Sequence, residues 1–143
     1  MKKITFALAL SGLLSTTLLA SDDDLKKGLN LALTAGDTQT QMMSMVLVNK
    51  ALGLKKDVKV VLCAEAGDLA LKDSKSEPQK PMDKSPKDLL QAAIKGGADV
   101  KVCPLYLPNK GLDKTALIDG VGVANPDNVI KEILDEDYAL LSY

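Results

Sequence analysis

Short apolar runs alternate with segments of helical spacing from residue 28 to the end of the chain. Five runs have the length and the β-branched content of buried strands, at 29–33, 58–63, 99–103, 121–123 and 138–141. Helices are predicted at 38–52, 85–95 and 113–118, with a last one opening at Asn125-Pro126. Regular alternation of strand and helix predicts an α/β domain with a parallel sheet and helices on both faces.

Two segments between these elements lack an apolar period and are predicted as loops. The longer one, 72–85, contains two prolines and many charged residues, so we expect a long exposed loop. Ser85 then caps the following helix, and Pro86 occupies its first position. The shorter loop, 105–111, follows Pro104. Glu65 and Asp68, just after the second strand, could line the same cleft as Cys103, but such residues more often cap the following turn, and no role is assigned to them.

The N-terminus has the layout of a secretory signal. Lys2 and Lys3 precede an apolar stretch over 4–14, and Ala20 follows a short polar segment. This pattern predicts a cleavable signal peptide at 1–20, a mature domain at 21–143 and a periplasmic location. We expect no membrane contact after cleavage. An uncleaved N-terminal anchor is the alternative, although the apolar stretch is short for a membrane span.

Composition narrows the chemistry open to this chain. It contains no His and no Arg, which excludes Ser–His and Cys–His catalysis, imidazole metal ligands and arginine clamps. After cleavage, 16 Lys face 19 acidic residues, so no nucleic-acid partner is expected. Met42 and Met45 share a helix face and are interpreted as core. No cofactor and no metal are predicted.

Two cysteines, Cys63 and Cys103, stand at the carboxyl ends of predicted strands. Sites in open parallel sheets gather at these ends. Cys103 is the stronger candidate because a proline-containing loop follows it, and nearby amides, Lys101 and Lys110 could favour its thiolate. The alternative is that Cys103 is simply a small packed side chain. Cys63 is a possible second thiol.

Several stretches resemble the DsrE/DsrF-like family, which includes the YchN-like proteins. They are 96–103, ending in Cys103, then 109–112 and 120–123. The resemblance implies a three-layer α/β/α fold of flavodoxin-like architecture with a five-stranded parallel sheet. It also implies that Cys103 carries sulfur as a persulfide, supported by a loop with Tyr106, Asn109, Lys110 and Gly111. Tyr106 stands where many YchN-like members have a second cysteine, so that neighbouring thiol is missing here.

The same resemblance makes the strands that end in Cys63 and Cys103 neighbours. The two strands start alike, at Asp57 and Asp99. If those starts are level, Cys103 lies opposite Val61, and the two cysteines are separated by roughly 8 Å between Cα atoms. A relaxed disulfide requires less than about 7 Å, so a resting bridge is not expected. A sulfur relay or redox pair, and two independent thiols, both remain open.

These observations together predict a periplasmic DsrE-like sulfur carrier, which relays sulfane sulfur on Cys103 rather than turning over as a free-standing enzyme. Its expected partners are a sulfur donor or acceptor protein, or a small sulfane-sulfur species. The resemblance implies a homo-oligomer, either a trimer or a hexamer. One alternative is a non-catalytic oligomeric binding or assembly module. Another is a thiol–disulfide redox protein that uses Cys63 and Cys103.

Overall fold

A computed structural model describes residues 25–143 of the chain. The predicted signal peptide, 1–20, lies outside the described residues, as do the first residues of the mature chain. Within the described range, no helix is both long and apolar enough to cross a lipid bilayer.

Five parallel strands form one sheet, in the order β4-β3-β2-β1-β5. The strands are β1 Gly28–Leu33, β2 Asp57–Leu62, β3 Asp99–Val102, β4 Val121–Val123 and β5 Tyr138–Ser142. The helices are α1 Thr38–Gly53, α2 Pro86–Lys95, α3 Tyr106–Lys110 and α4 Pro126–Ile133, with 3₁₀ helices at Ala64–Ala70 and Lys114–Ala116. The predicted α/β class with a five-stranded parallel sheet is confirmed.

Local sequence signals explain where the helices begin. The Ser85 hydroxyl accepts a hydrogen bond from the Asp88 amide, and the Asp88 carboxylate accepts one from the Ser85 amide. This reciprocal pair satisfies amide groups that α2 itself leaves without a partner. The Asn125 side chain caps α4 by accepting hydrogen bonds from the Asp127 and Asn128 amides, and Pro126 occupies the first helical position. The helix expected at 113–118 is only the short 3₁₀ helix Lys114–Ala116, which the Asp113 side chain caps by accepting from the Thr115 amide.

The main core lies between the sheet and the helices α1 and α2. Alternate residues of the three central strands β1, β2 and β3 point to this side, and they are fully or almost fully buried: Leu29, Leu31, Leu33, Val58, Val60, Leu62, Val100 and Val102. Burying one such side chain contributes about 1.5–3 kcal/mol. The two predicted core methionines, Met42 and Met45, are buried on α1. This side of the sheet therefore holds most of the apolar stabilisation.

In the described part of the chain, α4 packs on the opposite face of the sheet, and every residue of α4 keeps some exposure to solvent. Polar contacts fix this helix: Lys59 Nζ lies 3.6 Å from the Glu132 carboxylate, and the Asn30 amide donates to the Glu132 carbonyl. Cys63 and Cys103 continue the series Lys59, Val61 and Lys101 on this face, because strand side chains alternate. Both thiols thus lie on the thinly covered side.

The prediction of a loop over 105–111 is wrong, because α3 occupies most of it. Pro108 is the third residue of α3, where the backbone needs no amide donor, so the helix tolerates it. Gly111 then ends the helix with a left-handed backbone, at φ 66°. The turn that follows Cys63 is likewise helical, as the 3₁₀ helix Ala64–Ala70.

The segment 72–85 contains no helix, and its only regular feature within the described chain is a bridge between Gln79 and Lys84. The Lys87 ammonium donates to the backbone carbonyls of Leu71, Lys72 and Ser74, which ties the start of this segment to α2. Several surface hollows border Cys63 or Cys103, and their lining residues lie outside the segment 72–85. The segment therefore does not fold over the cysteines here.

Candidate functional site

Cys63 and Cys103 lie side by side at the carboxyl end of the sheet. In the ladder between β2 and β3, Val61 is level with Lys101 and Leu62 is level with Val102. The next residues, Cys63 and Cys103, are therefore level with each other. The Cys103 amide donates to the Leu62 carbonyl at 2.8 Å, and the Cys63 amide donates to the Leu33 carbonyl at 2.9 Å. Both backbones are thus held by hydrogen bonds to the neighbouring strand.

The register predicted from the similar strand starts is wrong by two residues. Asp99 pairs with Lys59 and not with Asp57. A shift of two residues leaves every side chain on the same face, so the apolar alternation cannot distinguish the two registers. The correction brings the thiols together and removes the geometric objection to a bridge between them, although both cysteines are free thiols in this structure.

The two thiols influence each other electrostatically. Burial, a hydrogen bond with Cys103 and the proximity of a charge on Cys103 raise the pKa of the Cys63 thiol to about 11. Cys63 therefore keeps its proton at neutral pH and can donate it to the neighbouring sulfur.

Alkylation of Cys63 in the native protein is expected to be slow and steeply dependent on pH. With a pKa of about 11, about one Cys63 in a thousand is a thiolate at pH 8, so the rate should rise about tenfold per pH unit up to pH 10. Peptide mapping after timed iodoacetamide pulses measures this rate. The urea-unfolded protein is the control, and a native rate that levels off below pH 9 would contradict the assignment.

A cleft of about 410 Å³ opens beside Cys103 and is called the polar cleft here, because Glu65, Asn109 and Lys110 line part of it. Its lining residues are Ala64, Glu65, Cys103, Leu105, Tyr106, Asn109 and Lys110. Behind it, the Tyr106 hydroxyl donates to the Asp68 carboxylate, and Lys110 Nζ lies 2.9 Å from the same carboxylate oxygen. The Lys110 ammonium is also 5.7 Å from the centre of the Tyr106 ring. These three side chains form a connected wall.

The charges of this wall are largely balanced. Burial would raise the pKa of Asp68, but hydrogen bonds from Lys110 and Tyr106 outweigh it and hold that pKa below the usual value. Burial and the Asp68 carboxylate raise the pKa of Tyr106, so its hydroxyl stays protonated as a donor. Because Lys110 is paired with Asp68, its charge reaches Cys103 in weakened form.

Gly67 allows the Tyr106 ring to lie against the 3₁₀ helix, since a Cβ at this position would come within 2.4 Å of the ring. Gly67→Ala is expected to displace Tyr106 from Asp68 and to lower the free energy of unfolding by about 1–3 kcal/mol. Urea denaturation measures the change. Gly53→Ala is the matched control, because a Cβ there has no neighbour within 4 Å. Equal stability of the two variants would contradict this packing.

A second hollow of about 400 Å³ contains both cysteines and is almost wholly apolar. It lies between the sheet and α4, with Val61, Pro104, Leu105, Val129, Ile130 and Ile133 among its lining residues. Cys103 therefore lies where the polar cleft and the apolar hollow meet. Cys63 lines the apolar hollow and a further apolar hollow that extends toward Leu140.

The structure places most of the predicted site residues together. Cys103, Tyr106, Asn109 and Lys110 line one cleft, and Gly111 ends the helix that carries three of them. The Asn109 amide donates to the Leu105 carbonyl at 2.7 Å, so it stabilises α3. Within residues 25–143, no group of three or more potential metal-binding side chains converges.

Lys101 and Asp68 make contacts that the sequence did not indicate. Lys101 is paired with Asp99 and lies 4.0 Å from Glu132, so its charge is partly neutralised by carboxylates. Asp68, to which no role is assigned from the sequence, holds both Tyr106 and Lys110. The contact with Tyr106 spans 38 positions of the chain, and no local pattern marks it.

A scan against protein-family models found no match, and a comparison with curated proteins found none either. Solved structures do match. The chain is similar to the YchN protein from E. coli, with a TM-score of 0.62 and 17% identity over 81% of this chain and 99% of that one. It is also similar to MTH1491 from Methanobacterium thermoautotrophicum, a protein of unknown function, with a TM-score of 0.58 and 16% identity over the same shares. At these identities the likeness establishes the fold, and the fold implied by the DsrE/DsrF-like resemblance is confirmed.

Proposed function

We propose that this protein is a periplasmic sulfur carrier of the DsrE type, which binds sulfane sulfur as a persulfide on Cys103. The observation that carries the proposal is the position of Cys103. It is a partly exposed thiol at the carboxyl end of a parallel strand, where a polar cleft meets an apolar hollow. A small nucleophile with access from solvent and a sheltered side is what a carried sulfur atom requires.

Loading needs only a thiolate and a sulfane-sulfur donor. The Cys103 thiolate attacks a sulfur of an inorganic polysulfide or a donor persulfide, a new S–S bond forms, and the donor's own S–S bond breaks. The shortened donor leaves with the electron pair as a thiolate or hydrosulfide. Unloading is the same exchange in the opposite direction, with an acceptor thiolate attacking the outer sulfur. No cofactor is required, which fits a relay protein.

The proposal is tested by intact-mass spectrometry of the mature, reduced protein after treatment with inorganic polysulfide. We expect a gain of whole sulfur atoms that dithiothreitol removes. Denatured protein with both thiols alkylated beforehand is the control for non-covalent sulfur. Absence of an adduct on protein whose Cys103 reacts with iodoacetamide would refute the carrier function and favour a binding module.

The binding-module alternative is favoured by a different observation, the apolar surface of α4. Ile130 and Ile133 lie on one side of α4, and Leu134 directly follows the helix on the same side. All three side chains are exposed. Clustered exposed apolar side chains mark association surfaces. This surface adjoins the hollow at the cysteines, and we propose that a second copy of the chain covers it in a homo-oligomer, a trimer or a hexamer by resemblance.

Ile130→Asp is expected to convert the homo-oligomer to smaller species, because it places a charge on the proposed contact surface. Size-exclusion chromatography with light scattering measures the mass. Leu54→Asp is the matched control, since Leu54 is similarly exposed (53% against 50%) but follows α1 on the other side of the sheet. A monomeric wild type, or equal loss of assembly in both variants, would contradict this assignment.

A further inference from the structure

The level positions of Cys63 and Cys103 give the site a second reactive group. Neighbouring strands lie about 4.8 Å apart, which falls within the Cα separation of about 4.4–6.8 Å that disulfides adopt. Both cysteines project from the same face and line one hollow. The amide hydrogen bonds to Leu33 and Leu62 fix their backbones up to this point. The two sulfurs can therefore meet through side-chain rotation alone.

We propose that Cys63 is the resolving thiol of the Cys103 persulfide, so that the pair releases carried sulfur as hydrosulfide and closes into a cross-strand disulfide. This inference rests on the proposed function, since it needs a persulfide on Cys103. It assigns the neighbouring thiol a role in unloading, and it identifies hydrosulfide as a product that leaves without an acceptor protein.

The step balances in atoms and charge. The proton of Cys63 first passes to the outer sulfur of the anionic Cys103 persulfide, which leaves Cys63 as a thiolate. Cys63 Sγ then attacks the inner sulfur, the Sγ–Sγ bond forms, and the bond to the outer sulfur breaks. The outer sulfur leaves as hydrosulfide with the electron pair and the negative charge. The Cys63 thiol is oxidised as the outer sulfur is reduced. A reduced dithiol of the thioredoxin type then restores both thiols by exchange and becomes a disulfide itself.

The surroundings of the pair favour this direction. The hollow that holds both sulfurs is apolar, and a persulfide anion held there lacks the solvation it would have in water. The reaction exchanges that anion for a neutral disulfide and a freely diffusing ion. Cys63 carries its proton at neutral pH, so the proton that the leaving sulfur needs is already in contact with the pair. Hydrosulfide in excess would reverse the step and reload Cys103.

The test compares wild-type protein with Cys63→Ser, both loaded with inorganic polysulfide and then freed of excess by gel filtration. Cys63→Ala serves as a second variant in case the serine disturbs the apolar hollow. Intact mass and a colorimetric assay for hydrosulfide follow the two proteins with time. We expect wild type to release hydrosulfide in step with loss of bound sulfur, and the Cys63 variants to retain the sulfur at least about tenfold longer.

The product is checked on non-reduced tryptic digests, where wild type should link the fragments 60–72 and 102–110 through a disulfide. Equal retention of sulfur in wild type and both variants would overturn the resolving role and leave the carrier function standing. Failure of wild type and both variants to load would overturn the carrier function, and the resolving role with it. Loading of wild type but of neither Cys63 variant would overturn the resolving role, because Cys63 would then be needed for loading. Loss of sulfur from wild type without the cross-link would also overturn the resolving role.

Discussion

Cys103→Ser is expected to lose all reductant-labile sulfur binding, whereas Cys63→Ser should load about one sulfur atom per chain. Serine has the same shape as cysteine with a smaller hydroxyl in place of the thiol, and it cannot form a persulfide, so the fold is retained and the chemistry is lost. Cys103 borders the polar cleft and is reachable by a dissolved polysulfide. Cys63 borders only apolar hollows and carries a raised pKa, which makes it the poorer nucleophile toward a donor.

Cyanolysis of the gel-filtered proteins measures this sulfur, and circular dichroism checks that both variants are folded. The comparison is well matched, because both substitutions replace a partly buried cysteine at the end of a neighbouring strand. Full loading of Cys103→Ser would show that the site lies elsewhere. Loss of loading in both variants would indicate that the two thiols act only as a pair.

Leu62→Ala is expected to lower the free energy of unfolding by about 2–5 kcal/mol. Leu62 is the last residue of β2, fully buried between the sheet and the helices α1 and α2. Its truncation leaves a cavity in the main core. Urea denaturation followed by circular dichroism measures the change.

Leu140→Ala is the matched control for this prediction. Leu140 also lies in a strand, but it is 48% exposed on the face that α4 covers thinly, and its truncation should cost less than about 1 kcal/mol. The difference expresses an asymmetry of the molecule: one face of the sheet stabilises the fold, and the other carries the thiols. Similar losses for the two variants would contradict that division.

Much of the fold could be predicted because strand and helix signals are local. The alternation of apolar residues identifies β2 and β3, and Ser85 with Pro86 marks the start of α2. The relative position of β2 and β3 was not predictable in the same way. Registers that differ by two residues bury the same side chains, so the length of the connecting segment and the packing of α2 decide between them.

The candidate site was predicted only in part, because some of its contacts are local in the sequence and others are not. Cys103 and the residues of α3 stand together in the sequence, and their type indicated the chemistry. Asp68 approaches them only through the folding of the 3₁₀ helix Ala64–Ala70 against Tyr106, which Gly67 permits. A carboxylate whose partner is distant in sequence carries no local mark. The neighbouring position of Cys63 likewise appears only when the ladder between β2 and β3 is known.

The most direct test of the central claim is to locate the carried sulfur within the chain. Polysulfide-treated wild-type protein is alkylated while loaded, digested with trypsin without reductant and sequenced by tandem mass spectrometry. The digest separates the two cysteines, because 60–72 contains Cys63 and 102–110 contains Cys103. The carrier function predicts an alkylated persulfide on the 102–110 fragment. Extra sulfur confined to the 60–72 fragment, or found on neither fragment when no disulfide links them, would contradict it.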